Sequence, residues 1–242
     1  MKTTIHRTEN RGHANHGWLN AKHSFSFGHW YDPTKIHFGA LRVLNDDEVA
    51  PAMGFGKHPH DNMEIITLVQ EGALEHKDSM GNGSVMKPND VQVMSAGTGV
   101  FHSEMNPGKQ EAVRLFQIWV IPELMNVTPR YDQQTFAPEN RKNKWQQIIK
   151  PHNDTDGEGI FIYQQAWFNL TDLDANTNIT YTNKNQDNGA YVFVIDGDVE
   201  VAGEKLKRRD AIGITNYQNF EIKAHSNARI LVMDVPMIDL GF

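Results

Sequence analysis

Four residues in this sequence have the types and spacing suited to metal chemistry: His58 and His60 in KHPHDNME, and His102 and Glu104 in GVFHSEMN. On an extended strand, residues i and i+2 project to the same face, so each pair presents two donors together. Two such pairs on neighbouring strands would bring three imidazoles and one carboxylate to one ion. An octahedral metal held in this way keeps up to two positions open, which is a catalytic rather than a closed structural arrangement. An HxH pair alone is common on exposed strands, and a lone histidine is more often structural. It is the combination of both pairs that carries the expectation. Glu64 stays open as an alternative fourth donor, because its parity with His60 also points it inward.

The composition narrows the chemistry further. The chain has 242 residues and twelve histidines, ten of which fall within the first 102 residues. It has no cysteine, which excludes disulfides, thiolate metal sites, iron–sulfur clusters and cysteine nucleophiles, and leaves nitrogen and oxygen as donors. A formal net charge of -7 argues against nucleic acid as the main partner. No run approaches the roughly 18–20 apolar residues of a membrane helix, and MKTTIHRTENRGH lacks the apolar stretch of a secretory signal. A cytoplasmic protein without membrane association is expected.

The elements that must position the donors read as strands. Period-2 apolar alternation broken by Gly, Asn and Asp recurs in FGALRVLNDD, EIITLVQEGALEH, DVQVMSAGTGVFHSE and RLFQIWVIPE. This pattern predicts an antiparallel all-β architecture. Residues 130–156, rich in Asn, Gln, Lys and Asp, read as a connector with one short helical turn near Trp145 to Ile149. An internal repeat supports two domains. LVQEGALEH (68–76) matches FVIDGDVEV (193–201) at an offset of 125, and KPNDVQVM, centred on Asp90, matches KRRDAIGI, centred on Asp210, at 120. Moving the donor positions by these offsets lands on Asn183, Asn185, Ile222 and Ala224, so no second donor set is expected.

The remaining histidines are read as structural. His13, His16, His23 and His29 suit capping and packing, and His76 at a hairpin end is expected to face solvent. The aromatic group Trp18, Phe25, Phe27, Trp30 and Tyr31 is read as core.

The two donor segments resemble the two-part signature of the cupins: His58, His60, Glu64 and Gly72, then Gly99, His102 and Asn106. The spacing from Glu64 to Gly72 is one residue longer than usual, and Gly97 replaces the customary proline of the second motif. These departures fit the pirins, two-domain cupins that the chain resembles over roughly residues 5–135 through RGHANHGWLNAKHSFSFGHWYDP, FGALRVLNDD, GFGKHPHDNMEIITLVQEG, HKDSMGN, SAGTGVFHSEMN, FQIWVIPE and TPRYDQ. The resemblance implies two tandem cupin barrels of the double-stranded β-helix, jelly-roll-like type. The first would span residues 1–135 and bind metal, and the second would span 136–242 without metal ligands. It implies His58, His60, His102 and Glu104 as ligands, with Glu64 the alternative, and iron(II) as the ion. Such sites also accept manganese, cobalt, nickel, copper and zinc. It further implies quercetin 2,3-dioxygenase activity on a flavonol and O2, with ring opening and release of carbon monoxide. Glu104 or Glu64 would be the acceptor of the substrate hydroxyl proton. The alternative implied by the family is a non-enzymatic, redox- or metal-responsive regulator that binds a protein partner.

Overall fold

A computed structural model describes residues 1–238. The regular secondary structure of the described chain is almost entirely strand and forms two similar barrels, each built from one seven-stranded and one four-stranded sheet. In the first barrel the four-stranded sheet holds Gly54–His60, Val100–Met105, Leu74–Asp78 and Gly83–Met86 in that order. Behind it, Glu64–Glu71, Val113–Val120 and Leu41–Val49 lie side by side in the seven-stranded sheet.

The two large sheets pack face to face, which explains their nearly unbroken apolar strands. In Glu64–Glu71, Ile65, Thr67 and Val69 face the first barrel's interior, while Ile66 and Leu68 join a core shared with Tyr191, Phe193 and Met233. The repeat partner Asn188–Asp196 does the same in mirror: Val192 and Val194 fill its own barrel, and Tyr191, Phe193 and Ile195 meet the first domain. Strands buried on both faces lose polar alternation and read as continuous hydrophobic runs.

The duplication is visible in the turns. Gly72 (φ 76°) and Gly197 (φ 91°) close the equivalent hairpins in the left-handed region. A Cβ at these positions would lie 2.9 Å from the Ala112 carbonyl oxygen and 2.4 Å from that of Asn227, so glycine is required at both. Asp90 accepts a hydrogen bond from the Lys87 amide at 2.8 Å, and Asp210 accepts the matching bond from Lys207 at 3.2 Å.

Two local expectations are corrected. The stretch near Trp145 is not helical: Gln146–Pro151 is a strand, and the short 3-10 turn lies earlier at Pro138–Arg141. A register shift between Gln147 and Ile149 turns both Ile148 and Ile149 inward, which disguises the alternation. Residues 130–156 are also not a simple connector, since Arg130–Thr135 pairs with Asp90–Ser95 in the first large sheet. At the amino terminus, Lys2–His6 crosses to the second large sheet and pairs with Ala211–Thr215.

Candidate metal centre

His58 and His102 face each other across the antiparallel pair Gly54–His60 and Val100–Met105, and His60 stands opposite Val100. The three imidazoles converge: ring centroids lie 4.3 Å apart for His58 and His102, and 4.9 Å for both His58–His60 and His60–His102. One ring nitrogen from each lies within 4.8 Å of the others. The His58 Nδ1–H donates to the Gly56 carbonyl at 2.7 Å, which fixes the tautomer and leaves Nε2 free. His102 is buried, and neither of its ring nitrogens has a hydrogen-bond partner. Burial, then the neighbouring His58, His60 and His76, holds His102 neutral far below its usual range. His60 is pushed down to about 4 by burial and by His58. Three converging imidazoles, two of them held neutral by burial, are what a divalent transition metal requires, so the residues present fit such an ion.

Glu104 is buried beside this triad. The Gln117 side-chain amide donates to its two carboxylate oxygens at 3.2 and 3.0 Å, and the Thr67 hydroxyl lies 3.4 Å away. Burial pushes the carboxyl up to about 7, although the bonds from Gln117 and Thr67 favour its ionised form. Its donor oxygen clusters within 4.8 Å of nitrogens from His102 and His76, so His102 belongs to both groups.

Glu64 goes elsewhere. It accepts a hydrogen bond from the Ser95 hydroxyl at 2.7 Å and is not on the cavity wall beside the histidines. Parity counted from His60 fails because the chain turns at Asp61–Met63, where Asn62 has a φ of 43°. The strand restarts at Glu64 itself, with Ile65 and Thr67 facing the barrel interior and Glu64 on the opposite face.

His76 corrects a second expectation. Instead of facing solvent, it is fully buried, stacked on Tyr131 at 4.7 Å and bonded to Asp78 at 3.0 Å. It sits directly across the ladder from Glu104, as Asp78 does from His102. The signal was present in LEHKD: alternation places His76 and Asp78 on the same face as the buried Leu74. Sequence reasoning also missed the cavity beside the triad. It has a volume of about 240 Å³, and Phe27, Phe55 and Trp119 form apolar walls while His23, Asn45 and Asp47 supply polar groups. Of the aromatic group read as core, Phe25 is buried, Phe27 lines this cavity and Tyr31 is 72% exposed.

In the second barrel the ladder supplies the true counterparts. Phe220 faces Tyr181 as His102 faces His58, and Ile222 lies opposite Val201 as Glu104 lies opposite His76. The Asn183 amide bonds the Gln218 carbonyl at the position of His60. The repeat hairpins differ in length, and the offsets of 125 and 120 each overshoot by two residues in giving Asn183, Asn185, Ile222 and Ala224. Tyr181, Phe220 and Ile222 belong to an apolar cluster in that barrel.

Comparison with known proteins agrees with this architecture. A family model described as Pirin matches residues 4–120, and one described as Quercetinase C-terminal cupin domain matches residues 148–235. The chain is 39% identical to a quercetin 2,3-dioxygenase of Escherichia coli (strain K12), over 97% of this chain and 99% of that protein. It is 40% identical to a pirin-like protein of Caulobacter vibrioides, over 92% of this chain and 95% of the other. The crystal structure of the bacterial pirin YhhW from Escherichia coli in complex with nickel(II) superposes with a TM-score of 0.91 at 38% identity, covering 98% of this chain and 100% of that one. The chain is therefore a member of the pirin family, built as two tandem cupin barrels.

Proposed function

We propose that this protein is a metal-dependent dioxygenase acting on flavonols such as quercetin, with His58, His60, His102 and Glu104 holding the ion in the first barrel. The carrying observation is His102, whose two ring nitrogens are buried without partners between His58 and His60. A buried imidazole left this way costs free energy unless a ligand satisfies it. Full-length similarity to a quercetin 2,3-dioxygenase supports the substrate class, and the nickel(II) complex of the similar pirin supports a divalent metal. Iron(II) is the ion we assign, from the resemblance to the pirins, although the donor set also suits other divalent transition metals. The second barrel, in this reading, has a packing role without a metal.

When bound, the metal would supply Lewis acidity, redox capacity and a common template for both reactants. The rest of the task falls to the chain. The apolar walls from Phe27, Phe55 and Trp119 accept a planar aromatic ring system and exclude water around it. Glu104 accepts the proton of the substrate hydroxyl, for which its carboxylate would have to loosen from a bound ion, and the Gln117 amide keeps it oriented for that transfer. Carbon monoxide leaves as the ring opens.

The test is turnover of quercetin by the ferrous protein under O2, followed by loss of flavonol absorbance and detection of carbon monoxide. His102→Ala should abolish both signals while leaving the β-sheet circular dichroism unchanged. Bleaching that survives the substitution overturns the assignment.

A further inference from the structure

Along the wall of the cavity beside the histidines, and apart from His102, which is assigned above to the ion, every buried polar side chain but one has a partner among the described residues. His23 and Asn45 bond each other at 2.8 Å, and Glu104 is held by Gln117. The exception is Asp47. It is 5% exposed, lines the same cavity, and makes no side-chain hydrogen bond or ion pair among the described residues. Its neighbours across the ladder are Ala21 and Leu115, which cannot satisfy a carboxyl group. A leucine or valine there would complete the apolar interior that Leu19, Val49, Val69 and Leu115 already build. Keeping an unpartnered carboxyl in such a place costs stability. Costs of this kind concentrate where a ligand supplies the missing partner.

The position limits what that partner can be. Asp47 sits two residues along the strand from Asn45, which pairs across the ladder with Gln117, so it lies one row beyond the residue that holds Glu104. Burial first, then Asp46 and Glu104, with Arg11 opposing them, disfavour a charged group there. A neutral hydrogen-bond donor on a flat apolar body fits the group and the walls around it. From this we infer that Asp47 is a specificity-determining residue: its carboxyl accepts a hydrogen bond from a phenolic hydroxyl on the substrate ring remote from the metal, so the cavity selects hydroxylated aryl ligands. The inference rests on the flavonol reading above and adds which end of the flavonol is read, and by what.

The experiment compares anaerobic binding of quercetin and 3-hydroxyflavone to the metal-loaded protein by calorimetry, alongside thermal melting. The two ligands share the reacting hydroxyl, but only quercetin carries hydroxyls on its remote rings. A site built around a hydroxyl discriminates strongly against an analogue that lacks it. Asp47→Leu should weaken quercetin binding at least tenfold, leave 3-hydroxyflavone within twofold and raise the melting temperature. Asp47→Asn, which keeps an acceptor oxygen, should retain most of the quercetin affinity and covers the case in which the leucine variant misfolds. Equal losses for both ligands, or unchanged quercetin affinity in both variants, overturn the role of Asp47. A wild-type protein that binds neither flavonol overturns the substrate class itself, an outcome separable because it needs no variant.

Discussion

Gln117 spans the space between two strands to donate its side-chain amide to both oxygens of Glu104, at 3.2 and 3.0 Å. The Gln117 carbonyl oxygen is in turn 3.1 Å from the Thr67 hydroxyl, so the amide cannot flip without losing a partner. Groups that orient a metal ligand typically tune metal affinity by ten- to a hundredfold. Gln117→Met keeps the volume and removes the donor. Chelator competition should show metal affinity reduced by about tenfold or more, with the fold intact. Unchanged affinity would mean that Glu104 needs no support from Gln117.

Glu64 offers a stability test with a definite sign. Burial raises its carboxyl from 4.5 to about 7, against the opposing bond from Ser95. Below pH 4.5 both folded and unfolded chains carry the proton, and the group's contribution to stability is fully present. As pH rises through about 7, the unfolded chain has already ionised and that contribution is lost. Glu64→Gln cannot ionise, so its stability relative to wild type should improve by about 1–3 kcal/mol between pH 4.5 and pH 8, read from urea midpoints. Metal content should stay at the wild-type level, which separates Glu64 from the proposed ligands. A loss of metal would restore it as a ligand.

The same comparison shows what the sequence made legible. Pairs at i and i+2 within one unbroken strand were readable, so the convergence of His58 with His60 followed from alternation alone. Glu64 was misjudged because parity was carried across a turn at Asn62, where alternation has no meaning. His76 was misjudged because a hairpin end suggests solvent, although Leu74 on the same face pointed inward. Asp47 carries no motif at all. Its isolation is a property of Ala21 and Leu115 arriving beside it from other strands, and only tertiary pairing reveals that. The gap in the repeat offsets has a similar origin, since ladder register, not chain distance, defines equivalence.

Asp78 closes the hairpin behind His102. Besides bonding His76, its carboxylate accepts bonds from the Met80 and Asn82 amides and from the Asn82 side chain. These partners, offset by burial, hold the carboxyl below its usual range. Asp78→Ala would strand the His76 ring and two turn amides together, at a cost of about 3 kcal/mol. Chemical denaturation should show that loss. Because Asp78 pairs with His102 along the ladder, metal affinity should fall as well. A stable variant with wild-type metal binding would place the organising role elsewhere.

The amino-terminal strand ties the two barrels together through contacts that involve none of the proposed metal ligands. Lys2–His6 covers the edge of Ala211–Thr215, His6 Nδ1 is 2.8 Å from the Tyr191 hydroxyl, and Arg7 bonds the fully buried Asp210 at 2.9 Å. Removing residues 1–7 would strip Asp210 of its cation and expose an edge strand that can pair with another chain. Light scattering of the truncated protein should show association or aggregation, and its melting temperature should drop. Metal stoichiometry in the surviving monomer should remain that of the full chain, since every proposed ligand belongs to the other barrel. Loss of metal with a monomer that stays folded would mean that the amino-terminal strand helps to shape the first barrel, which its pairing in the second sheet gives no reason to expect.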